Sequence, residues 1–294
     1  MQTPMRIIAE LDALRSAVKG LRLGGSVALV PTMGALHEGH LTLVREAKEQ
    51  AEHVVVSIFV NPLQFGENED LDAYPRVLER DCKLLDAEGV TLVWAPSVEV
   101  MYPKGFASSI AVTGESEGLC GGSRPGHFDG VATVVCKLFN QVQPNMAFFG
   151  EKDWQQLAVI RRMARDLDMA LPEASRIIGV PTVREADGLA MSSRNAYLSA
   201  EERAQAAALP RAMREAIVLI EAGGDIGAAL AELEQVLIAS DFTAIDYAEV
   251  RDAQTLLPVE KLGKEPGRLL VAARIGKARL IDNMSVCGKT HSIT

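Results

Sequence analysis

The chain has 294 residues, with 30 Lys and Arg against 39 Asp and Glu, a formal net charge of −9. That length fits about two domains, and the acidic balance excludes a protein that grips nucleic acid through a broad basic face. Hydrophobic residues at 48% and charged residues at 23% set aside disorder, collagen and coiled coil. The four cysteines, Cys82, Cys120, Cys136 and Cys287, form no CxxC pair. Reduced thiols are therefore expected, not a disulfide framework or a thiolate zinc site. Pro4, Arg6 and Glu10 interrupt Met1–Leu11, so no apolar leader core is read there, and runs such as Val54–Val60 are too short to span a bilayer. The expectation is a cytoplasmic protein without a membrane partner.

In chain order, short apolar runs recur at Val27–Val30, Val54–Val60, Val90–Trp94, Met146–Phe149 and Ile177–Val180. Stretches with helical spacing separate most of them: Leu41, Val44, Ala47 and Ala51, then Leu157, Ile160, Ala164 and Leu167. Apolar strands alternating with amphipathic helices predict a doubly wound, Rossmann-like parallel sheet covered on both faces, over residues 1–182. From 183 to 294 the rhythm changes. Two helices, Ala200–Ala222 and Asp225–Ser240, precede strands at Ile245–Val250, Leu269–Ala273 and Ala278–Ile281, which predicts a smaller C-terminal α+β lid domain.

The segment Val30-Pro31-Thr32-Met33-Gly34-Ala35-Leu36-His37-Glu38-Gly39-His40 carries the strongest chemical signal. A strand ends, a Gly-containing turn follows and a helix begins, and ligands of such sheets bind beyond the carboxyl ends of strands. A helix start there offers free N–H groups and partial positive charge to a phosphate. His37 and His40, three apart, would share a face and donate hydrogen bonds to charge growing in a transition state. A metal pair and coincidence remain alternatives, although His-Glu-Gly-His is one residue short of the HExxH spacing of a zinc protease.

Asn61-Pro62-Leu63-Gln64 follows a strand and supplies amides for a small polar ligand, or simply a turn. Gly150-Glu151-Lys152-Asp153-Trp154-Gln155-Gln156 opens a helix. Lys152 there suits a phosphate, Asp153 a ribose or a cap, and Gln156 would face the same mouth. Met191-Ser192-Ser193-Arg194 at the domain junction suits a triphosphate, and Arg124-Pro125-Gly126-His127 is a weaker cationic spot. The acids Glu67, Glu69, Asp70 and Asp72 read first as a solvated loop and second as magnesium ligands. Gly288-Lys289-Thr290 has too little chain after it to form a P-loop.

Five segments, PTMGALHEGH, FVNPLQFG, GLCGGSRPGHFDGVATVV, FFGEKDWQQL and PTVREADGLAMSSRNAYLS, resemble in that order the pantoate–β-alanine ligase family. HEGH looks like the HxGH signature of the nucleotidyltransferase superfamily. The resemblance continues to Leu280-Ile281-Asp282-Asn283; the tail from Met284 departs from it, and Glu67 stands where a proline is usual. It implies ATP-dependent joining of (R)-pantoate and β-alanine to pantothenate through a pantoyl adenylate, releasing AMP and pyrophosphate. It implies that Met33, Gly34, Ala35, Leu36, His37, Glu38, Gly39 and His40 form an ATP loop, with His40 as proton donor and His37 beside it on the phosphates. Gly150, Glu151, Lys152 and Asp153 would hold ATP, Lys152 on phosphate, and Val183 would meet adenine by its backbone. Met191, Ser192, Ser193 and Arg194 would close on the triphosphate. Gln64 and Gln156 would bind pantoate, with Asn61 supporting Gln64 near the β-alanine position. The resemblance further implies Mg²⁺ accompanying the nucleotide and a homodimer, and no residue is assigned as a metal ligand. A transferase of another acceptor, a non-catalytic nucleotide sensor and a zinc hydrolase are the rival readings.

Overall fold

The computed structural model describes residues 4–66, 69 and 71–288. In chain order the first elements are β1 (Arg6–Ile8), α1 (Leu11–Leu21), β2 (Val27–Thr32), α2 (Glu38–Gln50), β3 (His53–Ile58), α3 (Leu78–Ala87), β4 (Leu92–Trp94) and α4 (Val98–Met101). They continue with α5 (Leu119–Ser123), α6 (His127–Val142), β5 (Met146–Gly150), α7 (Trp154–Asp166) and β6 (Ile177–Val180). The remainder is α8 (Ala200–Ala206), α9 (Ala208–Glu221), α10 (Ile226–Ile238), β7 (Ala244–Asp252), β8 (Gly267–Ile275) and β9 (Ala278–Val286). Glu67 and Asp70 of the acidic stretch, and residues 289–294 of the tail, lie outside the described residues.

Strands β1–β6 form one parallel sheet in the order β1-β4-β3-β2-β5-β6. The chain winds outward from β2 through β3 to β4, then returns to the other side of β2 for β5 and β6. The order therefore reverses beside β2, and the crevice outside the carboxyl ends of β2 and β5 is the ligand position of an open α/β sheet. The run Val27, Ala28, Leu29 and Val30 is wholly buried, as a central strand covered on both faces must be. Helix α2 turns Leu41, Val44 and Ala47 onto that core, in the predicted spacing. Burial of side chains the size of Leu41 and Val44 contributes about 1.5–3 kcal/mol each. Strand β1 has no counterpart among the predicted runs. With three residues, two of them exposed, it is too short to leave a periodic signal.

The second sheet is an antiparallel meander, β7-β8-β9, packed with the apolar faces of α9 and α10. The single helix expected over Ala200–Ala222 is two, α8 and α9, interrupted at Ala207. Pro210 explains the break, because it has no N–H to donate to the carbonyl of Ala206. The chain divides into two compact units, residues 1–116, 124–151 and 155–181 against residues 117–123, 152–154 and 182–294. Two short segments thus join the second unit from within the first part of the chain. Among the described residues no helix is long and apolar enough to cross a membrane.

Candidate active site

In the first unit, β2 runs into the turn Met33–Leu36 and α2 begins at Glu38 with His37 as its N-cap. Capping here is done by imidazoles. His37 Nδ1 accepts from Gly39 N at 3.2 Å, and His40 Nδ1 accepts from His37 N at 3.3 Å. This is the reciprocal arrangement that Ser and Glu ordinarily provide. The ring centroids lie 4.1 Å apart with planes tilted by 40°. Because both Nδ1 atoms act as acceptors, the hydrogen-bond geometry assigns the proton of each neutral ring to Nε2, making each Nε2–H a donor.

The turn itself differs from the expectation of free N–H groups. Gly34 N donates to Thr32 Oγ1 at 3.2 Å, and Ala35 N and Leu36 N donate to the two carboxylate oxygens of Asp81 at 2.8 and 2.9 Å. Further on, His40 N and Leu41 N donate to His37 O. With the caps on His37 N and Gly39 N, the backbone donors of this stretch are almost all committed inside the protein. An anion placed here would meet the imidazoles and the helix dipole more than a backbone cradle. The side chains of Ala35 and Leu36 are buried, and that of Glu38 pairs with Arg45.

Asn61 and Gln64 flank the helical turn Pro62–Gln64 and are buried, at 1% and 9% exposure. Asn61 Nδ2 donates to Gln64 Oε1 at 3.1 Å and to Gly130 O at 3.0 Å. Its Oδ1 accepts from Leu63 N at 3.3 Å and from Tyr102 OH at 2.7 Å. Both donors and both lone pairs are thereby used, so Asn61 sets the orientation of Gln64 and has no bonding capacity left for a ligand. Gln64 Nε2 in turn lies 3.0 Å from Met33 Sδ, which brings the FVNPLQFG and PTMGALHEGH segments together. Burial pushes the Tyr102 phenol well above its ordinary value, keeping it a neutral donor.

Around the same turn, His127 Nδ1 lies 2.8 Å from Gln64 O, and Arg124 Nη2 donates to that oxygen at 3.3 Å. Arg124 also forks onto Glu69 through Nε and Nη2. Burial pushes the Glu69 carboxyl up, but the hydrogen bonds and charge of Arg124, aided by His127, outweigh it and hold the group below its ordinary value. Of the two glutamines opening α7, Gln155 is buried with Nε2 on Glu115 O at 3.1 Å. Gln156 is half-buried and makes no side-chain hydrogen bond among the described residues. Gly150 closes β5 opposite Val180, with Glu151 next to it.

The second unit carries the other candidates. Asn283 Nδ2 donates to Lys152 O at 2.8 Å, and Arg268 donates from Nε to Asn283 Oδ1. The Arg268 guanidinium stacks 3.4 Å from the centre of the Trp154 ring, whose Nε1 donates to Ala253 O at 3.0 Å. This lattice explains why Lys152 and Asp153 belong to the second unit although they follow β5 in sequence. Val183 O accepts from Met191 N at 3.0 Å, closing a hairpin on which Arg184 makes a two-pronged pair with the buried Asp282 at 2.6 and 2.9 Å. Ser192 caps the turn Ser193–Tyr197, its Oγ accepting from Arg194 N at 3.2 Å. Asn195 Nδ2 ties the turn to Ala190 O at 3.2 Å.

Asp81, Tyr102 and Arg268 position neighbouring groups and stand in none of the quoted motifs, while Gly130 and Asn283 stand in quoted segments that gave them no role. Asp81 left one usable signal, a charge beside Cys82 and four residues before Leu85 on the apolar stripe of α3. Gly130 left none. A Cβ at Gly130 would sit 2.3 Å from Leu63 O and 2.5 Å from Leu63 C, so only glycine lets α6 lie against the Pro62–Gln64 turn.

A histidine-capped helix beyond β2 of a doubly wound parallel sheet, with the sequence His37-Glu38-Gly39-His40, defines an α/β protein of the HxGH type. The chain belongs to the pantoate–β-alanine ligase family, whose family model matches residues 6–285. The pantothenate synthetase of Novosphingobium aromaticivorans is 65% identical over 283 residues, 96% of this chain and 99% of that protein. That of Paramagnetospirillum magneticum is 53% identical over 287 residues, 97% and 99% of the two chains. The solved pantoate–β-alanine ligase of Thermus thermophilus superposes with a TM-score of 0.88 at 49% identity, covering 95% of this chain and 99% of that one. The Francisella tularensis enzyme, solved with beta-gamma ATP and β-alanine, gives a TM-score of 0.80 at 34% identity over 95% and 97%.

Proposed function

We propose that this chain joins (R)-pantoate and β-alanine to pantothenate at the expense of ATP, in two steps. The pantoate carboxylate oxygen attacks the α-phosphorus, the bond from that phosphorus to the bridging oxygen breaks, and pyrophosphate leaves. The β-alanine nitrogen then attacks the acyl carbon, gives up a proton, and the carbon–oxygen bond to phosphate breaks to release AMP. A free carboxylate is a poor acyl donor until it carries such a leaving group, so the protein's task is positioning and stabilisation of charge.

The observation that supports this reading best is the pair of imidazoles whose Nδ1 atoms are occupied by backbone N–H groups, which makes Nε2–H the donor of each ring. His40 then acts as proton donor to the phosphates with His37 beside it. Lys152 adds a point charge on phosphate, Asp153 takes the ribose, Val183 the adenine, and Met191, Ser192, Ser193 and Arg194 the triphosphate. Gln64 and Gln156 hold pantoate, and Gln64 also lies near the amine. Magnesium comes with ATP as part of the substrate, bound mainly by phosphate and water oxygens. The enzyme acts in the cytoplasm, in keeping with four cysteines that form no disulfide, and works as a homodimer. Light scattering on the eluted protein is expected to give twice the chain mass, and the single chain mass would remove the dimer.

The deciding assay follows pyrophosphate and AMP from MgATP with pantoate and β-alanine omitted in turn. Pyrophosphate with pantoate alone, and sustained AMP only with both, is the expected pattern. Binding of MgATP without release of either product in the complete mixture would turn the reading to a sensor.

A further inference from the structure

Among the described residues, Asp81 is the one buried carboxylate that touches the nucleotide loop, and nothing in the proposed chemistry uses it. It is wholly buried, and each of its oxygens takes a backbone N–H from the adjacent residues Ala35 and Leu36. Those residues are where the loop needs holding. Gly34 and Ala35 are both left-handed, with φ of +80° and +51°, and a non-glycine residue in that region is strained. A cavity of about 270 Å³ lies against Gly34 and Asp81, walled by Ile58, Phe59, Val77 and Pro96 among others. On that side the turn therefore borders an open pocket and not packed core. Two charge-assisted hydrogen bonds, stronger than neutral ones, tether the turn instead. Leu36 is joined directly to His37, so the tether fixes the residue from which the histidine caps start.

We infer that Asp81 is a positioning residue for the nucleotide step: by drawing the Ala35 and Leu36 amides inward it sets the direction in which His37 and His40 meet the triphosphate. The inference rests on the adenylation reading above. It predicts a selective defect, because Asp81 acts on the ATP loop and on no group assigned to the amine.

The test is Asp81→Asn, whose side-chain oxygen keeps one acceptor while its NH₂ opposes the second amide. Pyrophosphate release per folded molecule is expected to fall about 10- to 100-fold in kcat/KM for MgATP, the scale of a misplacement near 1 Å. The KM for pantoate should stay within about twofold, and the attack of β-alanine on supplied pantoyl adenylate should be unchanged. Gly34→Ala is the independent variant, since its Cβ would lie 3.0 Å from Asp81 Oδ2 and 3.2 Å from Ile58 Cγ2. It should show the same split, and the double variant should be no worse than the poorer single one. Leu85→Ala, a wholly buried residue on the same helix, serves as the destabilised control with normal MgATP dependence. Both half-reactions falling together in Asp81→Asn, or a MgATP dependence equal to wild type, would overturn the inference. Calorimetric binding of MgATP reads the same loop without turnover. Wild-type protein that binds MgATP but releases no pyrophosphate refutes the adenylation reading, while a normal MgATP affinity in Asp81→Asn refutes the role of Asp81.

Discussion

At the scale of single residues, the caps that the two histidines make and the donation proposed for them can be separated. His40→Ala removes both the cap on His37 N and the Nε2–H donor. It is expected to lose about 0.5–2 kcal/mol of stability and to slow adenylation by roughly 10²- to 10³-fold. His40→Gln keeps an acceptor at the position where a capping box uses Glu or Gln. Its melting temperature should return close to wild type while adenylation stays slow; recovery of the rate as well would remove His40 from proton donation. Gln64→Ala should raise the KM for pantoate far more than that for ATP. Asn61→Ala should reproduce that change without itself touching pantoate, because Gln64 Oε1 loses the Asn61 Nδ2 donor. Additive effects in the double variant would mean that Asn61 and Gln64 act independently.

Among the elements, α6 shows how a helix is placed by what its sequence leaves out. Its first turn carries His127 on Gln64 O, and Gly130 admits the turn that holds Asn61 and Gln64. Gly130→Ala puts a methyl group against backbone that no side-chain rotation can relieve. A loss of about 3 kcal/mol with a raised KM for pantoate is expected, and a fully stable variant with normal KM would show that α6 does not set that turn. The strands were legible for a plain reason: Val27–Val30 and Val54–Val56 are apolar without alternation because both sheet faces are covered. Strand β1 and the break between α8 and α9 were not, since one depends on pairing with β4 and the other on a single proline.

For the molecule as a whole, acid is the informative variable. In the first unit Glu69 is held below its ordinary value against the cost of burial by Arg124. In the second unit burial likewise pushes the Asp246 carboxyl up, and Arg279 and Arg274 outweigh it. A carboxyl depressed in the folded state contributes stability above its unfolded pKa of about 4, and that contribution is lost as pH falls through the folded value. The urea midpoint should therefore drop between about pH 5 and pH 2, and Glu69→Gln with Asp246→Asn should flatten the drop. An equally steep drop in the double variant would place the acid sensitivity elsewhere. The net charge of −9 acts in the opposite sense for substrates. Anionic ATP and pantoate are not drawn in by the overall field, so on the proposed reading recognition falls to local cations, Lys152 and Arg194 being the candidates, within the ~8 Å over which salt leaves charges visible.

By itself the sequence determined what is local and chemical. Continuous apolar runs specify covered strands, spacing of three and four specifies helix faces, and residue types at short spacing mark the His37–His40 pair, Gln64, Lys152 and Arg194 as candidates for reactive or binding groups. Tertiary structure decided which polar side chains spend their bonding capacity inside the protein. Asn61 looks like a ligand contact in sequence, yet its bonding capacity is spent on Gln64, Leu63, Tyr102 and Gly130. Asp81 shows in sequence only as a charge on an apolar helix stripe, yet it holds two amides of the loop 45 and 46 residues earlier. The physical reason is the same in both cases: a hydrogen bond is satisfied by proximity and direction in space, and partners far apart along the chain meet only after the sheet has brought their elements together.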